Sequence, residues 1–93
     1  MSERLEYECK KAWEAKGHIV IRAAGSHGPF DLVAIRDGGR VTLSQCKLVS
    51  GAREMARLLR DFRANPPLNL SGDYHQCLEV KVVGSSRIEQ CFV

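Results

Sequence analysis

Two β-rich runs, Asp31 to Arg36 (DLVAIR) and Arg40 to Leu48 (RVTLSQCKL), are separated only by Asp37-Gly38-Gly39. The glycines allow the positive φ that a tight turn requires, so the runs fold back on each other as an antiparallel hairpin. A three-residue loop pairs Arg36 with Arg40, Ile35 with Val41 and Val33 with Leu43, and stands Asp31 opposite Gln45. Paired residues share a face, so Asp31, Gln45 and Lys47 project together, about 5 to 8 Å apart at Cβ. A two-residue loop would put Asp31 opposite Cys46 and turn Gln45 and Lys47 to the other face. The rest of the shared face is Val33, Ile35, Val41 and Leu43, so a polar cluster closes an otherwise apolar row.

The remaining elements follow from periodicity and stop signals. Ser2 is read as the cap of a helix from about Glu3 to Lys16, with Leu5, Cys9, Ala12 and Trp13 on one stripe and Gly17 ending it. His18 to Ala23 is a short strand, followed by a stretch, Ala24 to Phe30, whose glycines and proline suit neither a helix nor a central strand. Ser50 is read as the cap of a second helix reaching Asn65, with Met55, Leu58, Leu59 and Phe62 on its apolar face and Pro66-Pro67 closing it. Gln76 to Val83 and Arg87 to Val93 form a last hairpin about Gly84-Ser85-Ser86. The expected fold class is α/β, in the order α-β-β-β-α-β-β, a mixed five-stranded sheet with two helices against it.

Composition narrows the function classes. The 93 residues, 44% hydrophobic and 27% charged, are expected to form one domain over residues 1–93, small enough that self-association is expected too. No apolar run is long enough to span a membrane and the charged N-terminus does not resemble a secretory leader, so the expected location is cytoplasmic, associated with nucleoid or viral DNA. Fourteen Lys and Arg against eleven Asp and Glu give a net charge of +3, which permits a nucleic-acid partner. Cys9, Cys46, Cys77 and Cys91 are irregularly spaced, and are read as buried apolar residues rather than zinc ligands or disulfides. On the second helix Arg53, Arg57 and Arg60 fall opposite the apolar stripe as a basic ridge. With Arg4, Arg22 and His27 they are the candidate DNA contacts.

One further acid belongs with the polar cluster. At about 100° per residue Glu6 lies within roughly 20° of Trp13, on one flank of the buried stripe, and can reach the sheet. Glu8, on the other flank, is the competing candidate, whereas Glu14 points away. Carboxylates, an amide oxygen and a lysine at the open end of a sheet suit Mg²⁺ or Mn²⁺, hard cations that take oxygen ligands and retain waters. Lys47 can then orient or deprotonate an attacking water, or stabilise charge developing on a phosphorus-bound oxygen.

Glu6, the Gly17-His18-Ile19-Val20 step, Arg22-Ala23-Ala24-Gly25-Ser26, Asp31-Leu32-Val33-Ala34, and Gln45-Cys46-Lys47 followed by Arg57-Leu58-Leu59-Arg60-Asp61-Phe62 form an ordered set. Over residues 3 to 65 it resembles the archaeal-type Holliday junction resolvases of the PD-(D/E)xK nuclease superfamily, phage and viral members included. The resemblance implies a restriction-endonuclease-like sheet. It makes Glu6 and Asp31 metal-site carboxylates, Lys47 the catalytic lysine, Ser26 a loop serine at the scissile phosphate, and the Cys46 backbone carbonyl a metal ligand. Gln45 departs from the family, which usually has an acid there; its amide oxygen can still bind a metal with one charge fewer. The resemblance further implies a homodimer that binds four-way DNA junctions and nicks them in symmetric pairs, with Mg²⁺ or Mn²⁺ and no small-molecule cofactor.

Each residue also has a plainer reading. Asp31 alone could start a strand and cap a turn, Lys47 and Glu6 alone would be solvated, Ser26 and His27 would be turn residues, and the arginines a solvated face. The expected function is a metal-dependent, structure-selective DNA endonuclease that resolves four-way junctions by direct attack of water. The alternatives are a catalytically weak or inactive DNA-binding module of the same fold, and a repair or restriction-like nuclease acting on other DNA structures.

Overall fold

The computed structural model describes residues 3–23, 28–68, 72 and 74–93. Ser2, read as a helix cap, and Ser26 and His27, read as loop contacts, lie outside them. The elements run α1 (Glu3–Ala15), β1 (Ile19–Arg22), β2 (Leu32–Arg36), β3 (Arg40–Val49), α2 (Ala52–Ala64), β4 (Tyr74–Val82) and β5 (Ile88–Phe92), the order the sequence implies. Among the described residues no helix is long and apolar enough to cross a membrane.

The five strands lie side by side in chain order. Every pairing is antiparallel except β3 with β4, which are parallel and are joined through α2. A parallel pair needs such a crossover, whereas the antiparallel pairs β2–β3 and β4–β5 close through connections of a few residues. The β2–β3 register is Leu32 with Ser44, Val33 with Leu43, Ile35 with Val41 and Arg36 with Arg40, as a three-residue loop dictates. Gly38 and Gly39 both take positive φ there, 95° and 88°.

Helix α1 covers one face of the sheet. Leu5, Cys9 and Trp13, spaced by four, are buried against Leu32, Ala34, Cys46 and Cys77. Ala12 was expected on this stripe but is exposed, because the contact is one residue wide per turn and Ala12 falls to its side. The helix ends in a Schellman motif: Gly17, at φ 92°, donates its N–H to the Glu14 carbonyl, and His18 donates to that of Trp13.

Helix α2 covers the other face. Phe62 is buried with Val49, Leu78, Val80 and Cys91, and half-buried Met55, Leu58 and Leu59 extend the contact. Its cap is Gly51, not Ser50. The Glu54 carboxylate reaches back to accept the Ser50 N–H at 3.1 Å, so Ser50 is held outside the helix by the side chain it was expected to precede. β4 lies between both layers and is buried without a break from Gln76 to Val80. β1, β2 and the first part of β3 are covered only on the α1 side, whereas the end of β3 reaches under α2 at Val49. Ile19 (68% exposed) and Ile21 (53%) stand with half-buried Val33, Ile35, Val41 and Leu43 on the opposite face, beyond the residues that pack under α2.

Candidate functional site

Asp31 lies just before β2, where the regular ladder ends. Its N–H donates to the carbonyl of Ser44 at 2.8 Å, although Ser44 is already the register partner of Leu32. Two consecutive residues against one is the arrangement of a β-bulge, which re-aims the extra side chain. Asp31 therefore does not stand squarely opposite Gln45, as the ideal hairpin requires. Its carboxylate swings into line with the ladder, where Oδ2 accepts the N–H of Cys46 at 2.8 Å.

That turn builds the site. Gly28, Pro29, Asp31, Gln45, Cys46, Lys47 and Leu48 line an open cavity of about 350 Å³ at the end of β2. A strand residue's N–H and C=O project to the same side. The Cys46 carbonyl therefore opens beside Asp31, while its sulfur lies buried on the α1 side with Cys9. Lys47 is exposed and has no ion-pair or hydrogen-bond partner among the described residues. Gln45 and Lys47 also line an adjoining cavity with Leu58, Asp61, Phe62 and Asn65, which places them between Asp31 and the flank of α2. Asp61 is thus a second carboxylate beside Gln45 and Lys47. Its position on the helix rim next to the apolar stripe was the only sequence signal for it.

Glu6 and Glu8 are not among the described residues that line this cavity. Glu6 accepts a hydrogen bond from Arg22 Nη2 at 3.3 Å, and the same guanidinium lies 4.0 Å from Glu3 and 4.4 Å over the Tyr7 ring. The hydrogen bond to Glu6 raises the Arg22 pKa above its ordinary value, so the arginine stays charged. This pair is nonetheless adjacent to the site, because Arg22 is registered to Leu32, the residue after Asp31. Glu8 is held on the far side by Lys81 at 2.9 Å, in a different cavity that Arg4 also lines. On α2 Arg53, Arg57 and Arg60 are all exposed, as the helical projection requires. Arg57 is shared between Asp61 at 3.6 Å and Glu54 at 4.0 Å.

The most deeply buried carboxylate was missed by the sequence reading. Glu79, 1% exposed in the centre of β4, accepts hydrogen bonds at Oε2 from Trp13 Nε1 (2.9 Å) and Ser44 Oγ (2.5 Å), and at Oε1 from Gln90 Nε2 (2.8 Å). These donors come from α1, β3 and β5, so the network ties three elements to β4. Ser44 is also the residue whose carbonyl holds the Asp31 N–H, which links the network to the bulge. The available signal was a lone acid in the run Cys77-Leu78-Glu79-Val80, at a position whose parity points to the α1 face.

All four cysteines are free and buried, as expected. A hydrogen bond with Cys9 and burial push the Cys46 thiol well above its ordinary range, and burial followed by the charge of Glu79 does the same to Cys77. Potential metal-ligating atoms of Cys9, Cys46 and Glu79 lie within 4.8 Å of one another. Both Glu79 oxygens already have donors, so the set fits apolar and hydrogen-bonded packing. The oxygen donors around the Asp31 cavity are the set that suits a hard cation: a carboxylate, an amide and a backbone carbonyl.

No family model and no curated protein matches the chain. Among solved structures it is similar to the 1.6 Å resolution structure of Archaeoglobus fulgidus Hjc, a Holliday junction resolvase from an archaeal hyperthermophile. The two are 18% identical, the match covers 94% of this chain and 73% of that one, and the TM-score is 0.49.

Proposed function

We propose that the chain is a metal-dependent DNA endonuclease that resolves four-way junctions by paired nicks. The observation that carries this reading is the convergence of Asp31, Gln45, Cys46 and Lys47 on one open cavity at a bulged strand end. Asp31 Oδ1, the Gln45 amide oxygen and the Cys46 carbonyl would hold a Mg²⁺ or Mn²⁺ ion, with waters completing its shell. When bound, the ion supplies Lewis acidity to the scissile phosphodiester. Asp31 is fixed for this role because its other oxygen is tied to the Cys46 N–H. Lys47 stands exposed on the cavity wall, where its ammonium can donate to a phosphoryl oxygen as charge develops, or orient the attacking water. Water attacks directly, so no covalent enzyme intermediate forms.

Glu6 enters as the partner that orients Arg22 toward the backbone of the bound strand, rather than as a ligand lining the cavity. Arg53, Arg57 and Arg60 extend the phosphate-binding surface along α2, next to Gln45 and Lys47 through the cavity they share with Asp61. Paired nicks require two copies of the site. The uncovered apolar face of β1 to β3 is where a second copy would dock, since an isologous contact between two such faces would bury Ile19 and Ile21 on both.

A synthetic four-way junction incubated with and without Mg²⁺ tests the reading. Symmetric nicks that need the metal support it, and preference for flap or linear duplex over the junction would reassign the substrate. One observation favours a second reading, an inactive DNA-binding module: glutamine stands at position 45, and the nearest helix acid is engaged by Arg22. Metal-independent binding with no cutting at any metal concentration would select it.

A further inference from the structure

The α1 face of the sheet is not fully covered. Beyond the C-terminal end of α1 lies a cavity of about 440 Å³ lined by Trp13, Lys16, His18, Arg36, Arg40, Thr42, His75, Gln90 and Phe92. Arg36 and Arg40 are the pair that flanks the β2–β3 turn. The cavity is therefore at the opposite end of this hairpin from Asp31, about 17 Å away along five residues of strand. Among the described residues no carboxylate lines it. Lys16, Arg36 and Arg40 have no acidic partner among the described residues, and all three line this one cavity. Beside these cations stands an exposed aromatic ring: Phe92 is 49% accessible and meets Trp13 edge-on at 6.2 Å.

We propose that this cavity binds an unpaired nucleotide of single-stranded DNA, its phosphate on Arg36, Arg40 and Lys16 and its base against Phe92. Unpaired cations together with an exposed ring are what a strand with free bases needs, because stacking adds sequence-independent affinity to the phosphate contacts. A duplex keeps its base faces inside its own stack and satisfies only the charges. The volume falls in the range of small-ligand sites, about 300 to 1,000 Å³. The inference rests on the DNA reading above for its class of partner, but on none of the residues of the Asp31 cavity. At a branch point the bases of the crossover are those most readily unstacked, so a second contact there would distinguish branched from linear DNA.

The chain's only tryptophan reports on the site directly, since Trp13 lines the cavity. The test is titration of Asp31→Asn protein with oligo-dT in EDTA, followed by tryptophan fluorescence. Cutting is impossible under these conditions, so the outcome is independent of catalysis. We expect a saturable change in emission. The Arg36→Ala/Arg40→Ala double variant should weaken affinity about tenfold and reduce the slope of log affinity against log salt by up to about 0.7, the share of one single-strand phosphate. Phe92→Leu should weaken binding while leaving that slope unchanged, which separates stacking from charge. Both sets of substitutions are at exposed positions. No emission change, equal competition by inorganic phosphate, or unaltered affinity in both variants would overturn the site, without touching the assignment of Asp31. Loss of junction cutting in Arg57→Glu/Arg60→Glu with the oligo-dT response intact would leave this site standing.

Discussion

The Asp31 carboxylate accepts the backbone N–H of Cys46 at 2.8 Å, so one oxygen of the acid at the start of β2 closes the ladder to β3. The bond holds Asp31 and Cys46 together where both line the cavity shared with Gln45 and Lys47. Positioning of the acid and continuity of the sheet therefore depend on the same hydrogen bond.

Gln45→Glu should increase affinity for Mg²⁺. It replaces a neutral amide by a carboxylate at a position that already lines the cavity, adding one ligand charge. Titrating Mg²⁺ against cleavage rate should show half-saturation at a lower concentration than in the wild type. An unchanged metal dependence would place position 45 outside the ligand set.

Charge reversal at Arg57 and Arg60 should weaken DNA binding and flatten its salt dependence. Each lost phosphate contact on duplex arms removes about 0.9 from the slope of log affinity against log salt. Arg57→Glu also places an acid beside Asp61 and Glu54, so it should have the larger effect of the two. Binding isotherms at several salt concentrations measure both terms.

Glu79→Ala should be among the most destabilising single substitutions in the chain. It strips the acceptor from Trp13, Ser44 and Gln90. Leaving a buried donor unsatisfied costs about 1 to 3 kcal/mol, and Trp13 and Ser44 are buried while Gln90 is exposed, so a loss of about 2 kcal/mol or more is expected from urea unfolding. A loss below about 1 kcal/mol would mean that water or a rearranged partner replaces the acid.

Alkaline pH should erode stability. The folded-state pKa values of Cys46 and Cys77 are raised above the thiol's ordinary 9.0, so above that pH the unfolded chain loses protons that the folded chain retains. The unfolded state then binds fewer protons and unfolding becomes more favourable as pH rises. The contribution is fully present below the ordinary thiol value and declines through the range above it. Unfolding midpoints from pH 7 to 10 should fall, and Cys77→Ala should make that fall shallower.

The hairpin was legible in the sequence because Asp37-Gly38-Gly39 marks a tight turn between two β-rich runs, and of the two loop lengths open to it the observed register follows the three-residue one from Arg36 to Leu32. The bulge at Asp31 was not, since it depends on a side chain outcompeting the regular ladder for the Cys46 N–H. Local spacing put Glu6 on the correct flank of α1, half-buried, yet could not show that Arg22 on β1 would engage it. Glu79 was hidden for a related reason. An acid in an apolar run becomes intelligible only when its donors are known, and Trp13, Ser44 and Gln90 are separated from it in sequence by 66, 35 and 11 residues.

The central claim is that Asp31 and its neighbours form a metal-dependent hydrolytic site. It is tested most directly by incubating wild type and Asp31→Asn with a labelled four-way junction in Mg²⁺, measuring nicking and binding together. The substitution retains an oxygen that can accept the Cys46 N–H but removes the charge. The account predicts symmetric nicks from the wild type, none from Asp31→Asn, and comparable junction affinity for both. Equal cutting by the two proteins would contradict it.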